Sequence, residues 1–333
     1  MFKALVQLSL ILPLLTAVSL LQAKTIKVAT ISPDGTLWMN EMRAGAKEIK
    51  KRTQGRVKFK FYPGGTMGSD ENVLRRMRIG QLHGGAVTSG SLASIYPDID
   101  IYSLPYLFSS TAEVDYVREK MDKHLLDKLE EKGFISFGFG EGGFSYMMSD
   151  SSVYTVEDVR KQKVWVPGGN KVGEAVFSSA EISPVTLPIS DVLTGLQTGL
   201  INTVITSPIG AIALQWHTRV KYVIDLPLTY ITAMLVVDKK VFNKLKEEDQ
   251  TVVREVMGAA FKRIDAANRR DNLAAQDALK NQGIEYVSLP EDSLQAWHGI
   301  GDKAVKKLQE NNSYSPAAYE QIMGHIEAAK AKH

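Results

Sequence analysis

Apolar positions along this chain switch between two spacings. Thr25-Ile26-Lys27-Val28 opens an alternation that predicts a strand over 26–31, and Val57 to Tyr62 repeats it. Between them, Met39, Met42, Ala46 and Ile49 fall on one face of a helix expected over 38–51. Pro63-Gly64-Gly65 closes the second strand as a turn. Ser69 then offers an N-cap to a helix over 70–79, with Asp70 and Glu71 in its first turn and Gly80 as its stop. A short strand is expected at 86–88. This β-α-β-α-β order is that of a parallel sheet covered by helices.

Further along, 134–139 and 144–148 read as strands separated by a glycine-rich bend, Gly140-Glu141-Gly142-Gly143. Thr155 caps a short helix and Asp158 completes a capping box. Residues 163–166 form a strand closed by Pro167-Gly168-Gly169. Ser190 is expected to cap a helix that ends at Thr198 before Gly199, and 204–206 and 230–237 are further strands. Glu247 to Asn281 carries helix formers with no proline and one glycine, Gly258, until Gly283 ends it. At 1.5 Å per residue such a helix spans roughly 50 Å, longer than one small domain. It is expected to brace two lobes. Residues 293–333 look helical and amphipathic. No repeat or low-complexity linker separates the halves, so the chain is expected to cross between lobes at a hinge.

The N-terminus does not fit this scheme. Met1 to Lys3 is short and positive, and 4–21 runs apolar except for Gln7, Ser9, Thr16 and Ser19. Pro13, those polar residues and the small Ala23 favour a cleavable secretory signal over 1–23 rather than a membrane anchor. The mature chain is then exported and soluble. The 333 residues include no cysteine, which excludes thiol chemistry, disulfides and a lipid-bearing N-terminal cysteine. A free protein of a Gram-negative periplasm is expected. Lys+Arg 40 against Asp+Glu 37 leaves +3, so no nucleic-acid partner is indicated.

Enzyme chemistry finds little support. Gly138-x-Gly140-x-x-Gly143 matches a dinucleotide fingerprint in form, but a strand pattern, Phe144 to Met148, stands where that motif needs a helix. The six histidines are scattered, so no metal site is expected, and there is no Gly-x-Ser-x-Gly elbow. Arg75, Arg76 and Arg78 read as a solvated helix face. The informative features are strand ends rich in Gly, Ser, Thr and Pro, because open α/β sheets bind ligands beyond the carboxyl ends of their strands. Such ends lie at 32–36, 64–68, 88–91, 140–145, 167–170 and 206–208.

Four stretches then resemble the solute-binding proteins of tripartite ATP-independent periplasmic (TRAP) transporters, the DctP-like family. Tyr62-Pro63-Gly64-Gly65-Thr66-Met67-Gly68 is similar to that family's Tyr-Pro…Leu-Gly turn. Ile79-Gly80-Gln81-Leu82, with Tyr96-Pro97 and Leu104-Pro105-Tyr106-Leu107-Phe108 after it, resembles its Gly-x-Leu…Leu-Pro-Phe core. Lys163-Val164-Trp165-Val166-Pro167 and Leu196-Gln197-Thr198-Gly199 sit where two more family motifs fall. The resemblance spans roughly 25–290. It implies an α/β, two-lobed periplasmic binding protein, each lobe a mixed sheet flanked by helices, with hinge strands and a long bracing helix. Lobe I would hold 24–142 plus 232–271, and lobe II 143–231 plus 272–333. It also implies a monomer without cofactor or catalytic residues. Such a receptor captures a small organic ligand in the inter-lobe cleft and delivers it to small and large membrane subunits driven by an ion gradient.

The departures bear on the ligand. The family arginine that grips a carboxylate stands at Trp165, a second arginine at Ser145, and an asparagine at Ser207 or Thr206. A desolvated carboxylate left without a partner costs several kcal/mol, which argues against a monocarboxylate held in the family's way. Trp165 with Trp38 or Phe144 can offer a flat face to a sugar-like, aromatic or cationic ligand, and Glu141 can partner a cation. Alternatively, Trp165 packs within its own lobe and another group takes the arginine's place. Thr88, Ser91 and Met67 complete the candidate set as strand or loop ends. Two rival readings stay open: the ligand-binding partner of a sensor, and an exported enzyme acting on a small metabolite.

Overall fold

The computed structural model describes residues 23–332. The expected secretory signal therefore lies, but for Ala23, outside the described residues. The first part of the chain runs β1 (Lys24–Thr30), α1 (Leu37–Arg52), β2 (Val57–Tyr62), α2 (Asp70–Arg78), β3 (Gly84–Thr88) and α3 (Ser89–Leu92). A 3-10 helix (Pro97–Ser103), α4 (Thr111–Glu131) and β4 (Phe134–Ser136) follow. β5 (Gly140–Ser149) leads into α5 (Val156–Arg160), β6 (Trp165–Val166), α6 (Lys171–Ser179) and β7 (Val185–Thr186). Then come α7 (Val192–Thr198), β8 (Thr203–Thr206), α8 (Pro208–Ala213) and β9 (Tyr222–Ile224). β10 (Thr229–Asp238) returns, followed by α9 (Lys239–Phe242), α10 (Glu247–Asn281), β11 (Glu285–Val287), α11 (Glu291–Glu310) and α12 (Pro316–Lys330).

Most starts and stops follow from local chemistry. Ser69 accepts from the Asn72 N–H, and Thr155 with Asp158 closes the full capping box. Gly199 ends α7 in the left-handed region at φ 70°. Ser190 is not a cap: a 3-10 turn, Ile189–Asp191, precedes α7 and the Ser190 hydroxyl bonds Asp191 instead. Arg75 and Arg76 lie along the surface of α2, bonded to Asn72 and Gln81.

Two long strands define the architecture. β1 has β2 and β3 beside it in parallel, and β10 lies antiparallel on β3. The first half of β5 pairs with β10, while its second half pairs with β8 and β9, and β11 adds to β9 in parallel. One nine-stranded sheet thus curls through both lobes, with β5 and β10 shared between them. A separate parallel pair, β6 with β7, flanks the second lobe.

Gly140–Gly143, expected as a bend between two strands, is part of β5 itself. A Cβ on Gly140 would sit 2.5 Å from the Trp38 ring, and one on Gly142 would sit 2.8 Å from Ile231. Gly143 has φ +90°, opposite the register shift between Ile231 and Thr232. The run meets needs of close approach and of backbone conformation within a strand, which composition alone reads as a turn.

The 35-residue α10 lies along both lobes as a brace, against α1, β5 and α8. Gly45 of α1 lets it come close, since a Cβ there would stand 3.2 Å from the Met257 sulfur. Ile26, Val28, Met42, Ile49, Phe261 and Ile264 form the core on this side, while Trp165, Trp216, Val192, Val204 and Leu279 form one on the other. α11 packs on α6, and α12 packs on α4. Asp98 fixes the start of α12 by accepting from the Ser315 N–H at 2.6 Å and its hydroxyl at 2.8 Å.

Candidate binding cleft

A cavity of about 500 Å³ lies between the lobes, where the ends of β1 and β3 face β6, β8 and α8. Its size is that of a pocket for a small organic molecule. Its walls are mostly apolar: Trp38, Val87, Trp165, Val176, Ile205 and Trp216 are representative. No lysine or arginine lines it among the described residues, and Asp100 and Asp271 are its charged members.

Trp165 is walled in by its own lobe and also faces the cavity. Its Nε1–H donates to the Leu187 carbonyl at 2.9 Å, its ring meets Trp216 edge-on at 5.1 Å, and it is 3% exposed. Ser145 lines the cavity with its hydroxyl engaged by Thr229, 2.8 Å between the side-chain oxygens. Ser207 caps α8 through the Gly210 N–H at 3.3 Å. Thr206 presents a hydroxyl with no protein partner among the described residues, over Gly210, where a Cβ would stand 2.5 Å from that oxygen. Trp38 lines the opposite wall, held edge-on to Phe261 at 5.5 Å.

Thr88 sits between this cavity and a smaller one of about 140 Å³, and Ser91 lines only the smaller. Both hydroxyls contact Oδ2 of Asp70 at 3.0 Å, and the Thr88 N–H donates to it at 2.9 Å. Asp70 is 5% exposed, its other oxygen has no partner, and burial pushes its carboxyl pKa up.

Three candidates lie away from the cavity. Phe144 turns onto Tyr230, edge-on at 5.3 Å, and Met67 packs against a third core that includes Ala29, Val73, Leu74 and Val87. Glu141, 3% exposed, pairs with Arg269 of α10 at 2.7 Å, and Arg269 also grips Asp115 of α4 at 2.6 Å. A cation for Glu141 is thus supplied by the protein itself.

The same strand segment is clasped along its length by α10. The Glu141 N–H donates to Asp265 at 2.9 Å, Asn268 donates to the Glu141 carbonyl, and Asn272 donates to the Gly142 carbonyl at 3.1 Å. Asn272 also accepts from the Ile209 N–H of α8 at 3.2 Å. Asp265, Asn268, Arg269 and Asn272 follow i, i+3, i+4, i+7 spacing, a polar stripe at helical period. That stripe was the available sequence signal for the contact with β5.

Asp100 is the cavity residue that sequence patterning missed. Asp98-Ile99-Asp100-Ile101 alternates, which reads as acidic groups turned to water. In the 3-10 helix, residues three apart share a face, so Asp100 meets Ser103, whose hydroxyl donates to Oδ1 at 2.7 Å. Ser89 donates to the same oxygen at 2.9 Å and also contacts the Thr232 hydroxyl at 2.9 Å. Oδ2 makes no hydrogen bond to protein among the described residues. A Cβ on Gly90 would stand 3.5 Å from it, so glycine there leaves that oxygen uncovered. Burial raises the Asp100 pKa to about 6, against the lowering effect of the Ser103 and Ser89 hydroxyls.

A cavity closed by two lobes that share continuous strands is the architecture of a hinged solute-binding protein. The family model "Bacterial extracellular solute-binding protein, family 7" matches residues 28–312, and the chain belongs to that family. Among curated relatives, the C4-dicarboxylate-binding periplasmic protein of Rhodobacter capsulatus is 24% identical over 257 residues, covering 75% of this chain and 76% of the relative. Among solved structures, a TRAP periplasmic solute-binding protein of Haemophilus influenzae with bound L-gulonate has a TM-score of 0.82 at 19% identity, covering 92% of this chain and 99% of that one. A Bordetella pertussis extracytoplasmic solute receptor binding pyroglutamic acid has a TM-score of 0.82 at 20% identity, covering 92% and 100%.

Proposed function

We propose that this protein is the non-catalytic, periplasmic receptor of a TRAP-type transporter, exported by a cleavable signal. As a monomer it captures a small organic ligand by closing two lobes over the cavity and passes it to small and large membrane subunits. Lobe I comprises 24–142 and 232–271, and lobe II comprises 143–231 and 272–333, its final helix α12 reaching across to pack on α4 of lobe I. The inter-lobe cavity, lined from both sides and hinged on β5 and β10, carries this reading. Trp165, Trp38, Ser145, Ser207, Thr206 and Thr88 are the contacts, the tryptophans as apolar walls and the hydroxyls as hydrogen-bonding groups.

The ligand is not a monocarboxylate held by an arginine. The relatives named above bind dicarboxylates, L-gulonate or pyroglutamic acid, whereas no cationic side chain lines this cavity among the described residues. An unmatched anion in such walls costs several kcal/mol.

The test is a thermal-shift panel of neutral, cationic and anionic small molecules, followed by small-angle scattering on each hit. A hit should raise the unfolding midpoint and contract the particle, and Ala213→Trp, which fills the cavity from its rim, should abolish both. A tight monocarboxylate indifferent to Ala213→Trp and to Trp165→Ala would sink this reading of the site.

A further inference from the structure

We propose that the ligand carries a protonated amine, which sits on Oδ2 of Asp100 while the apolar remainder of the molecule fills the cavity. This rests on the reading of the cavity as the solute site and names the chemical class that site takes.

Four observations carry it. Asp100 lines an otherwise mostly apolar cavity, and no lysine or arginine shares that lining among the described residues. Nor does Asp100 form an ion pair among the described residues, in contrast to Glu141, whose cation is Arg269. Its carboxylate is held by one oxygen only: Ser89 and Ser103 both donate to Oδ1, which fixes the group and leaves Oδ2 without a protein donor. Gly90 keeps the approach to Oδ2 open, since any side chain there begins 3.5 Å from it.

The charge balance points the same way. With its pKa raised to about 6, Asp100 is ionised at neutral pH despite its surroundings. A carboxylate facing apolar walls is stabilised by a cation that brings its own donors. An alkylammonium does so, and with a pKa near that of lysine it is charged at the same pH. Hydroxyls such as Thr206 remain available for a second polar group on the ligand.

The experiment uses matched probes on the mature protein at pH 7.5: 3-phenylpropylamine, 3-phenylpropan-1-ol and 3-phenylpropanoate, with butyl and hexyl analogues of each. Calorimetry on wild type and Asp100→Asn gives the affinities. In wild type an amine should bind at least about tenfold tighter than its alcohol, the size expected of one charge-assisted hydrogen bond. In Asp100→Asn that preference should fall to about twofold, the amine losing more affinity than the alcohol. Circular dichroism and the unfolding midpoint establish that the variant folds.

An amine no tighter than its alcohol overturns the proposal, as does a preference that survives Asp100→Asn or that disappears in Asp271→Asn instead. If an alcohol or carboxylate binds in those cases, and Ala213→Trp abolishes it, the solute-site reading stands alone. If no probe of any class binds wild type, both fall.

Discussion

Replacing Asp100 by asparagine should stabilise the unliganded protein, and the gain should grow as pH rises. The amide keeps an oxygen where Oδ1 accepts from Ser103 at 2.7 Å and Ser89 at 2.9 Å, so the local geometry is retained. What changes is the charge. Burial raises the carboxyl pKa from 3.8 to about 6, so the folded state holds the Asp100 proton more tightly than the unfolded chain does. Below 3.8 the group is protonated in both states and costs nothing. As pH rises through 6 it ionises in the folded state too, and the cost reaches its plateau. A shift of that size amounts to about 3 kcal/mol at pH 7.5 and about 1 kcal/mol at pH 4.5, as an upper bound set by partial solvation. Urea unfolding of wild type and Asp100→Asn at both values, followed by tryptophan fluorescence, reads the difference. The variant should gain stability on wild type as pH rises, by up to about 2 kcal/mol between the two conditions. A variant less stable than wild type at pH 7.5, or a difference independent of pH, would show that Asp100 serves the fold rather than standing as an unmatched charge.

Other residues give equally concrete expectations. Gly140→Ala places a Cβ 2.5 Å from the Trp38 ring and should cost about 1–3 kcal/mol, with much of it recovered in Gly140→Ala/Trp38→Phe; additive losses in a thermal melt would refute the close-approach account. Arg269→Ala leaves the Glu141 carboxylate, 3% exposed, without its cation and should cost about 3 kcal/mol, more than adding Glu141→Gln to it. A loss below about 1 kcal/mol by urea unfolding would make the pair an ordinary surface contact. Trp165→Phe removes the donor to the Leu187 carbonyl and should cost about 1–3 kcal/mol; an unchanged midpoint would show that the carbonyl finds another donor.

Local elements were legible because their signals are local. Ser69 with Asp70 and Glu71, the Thr155–Asp158 box and Gly199 mark helix ends that tertiary packing did not move. The long helix was readable end to end, from Glu247 to Asn281, because nothing in it breaks a helix. The Ser190 helix start was misread, since a 3-10 turn competes with a cap over so short a distance. The glycine run at 140–143 was misread because glycine has two uses. Composition registers its freedom to turn, while here its missing side chain admits Trp38, Ile231 and Asn272 against a strand.

The site divides along the same line. Of the candidates chosen from the family's motifs, Trp165, Ser145, Thr206 and Ser207 line the cavity, and of those chosen as strand or loop ends, Thr88 and Trp38 do, because the carboxyl ends of strands converge whatever their order. Glu141 and Phe144 share their strand with Ser145, yet Glu141 turns to Arg269 and Phe144 to Tyr230. Which way a side chain leaves a strand depends on register and on the bulge at Ile231. Taken alone, the sequence determined the alternation of strands and helices, the length of the brace, and the absence of arginine at Trp165. Tertiary structure decided that Arg269 neutralises Glu141, and that Asp100 stands over the cavity with no cation of its own among the described residues. Ion pairing depends on distances between segments far apart in the chain, and those distances exist only once the chain has folded.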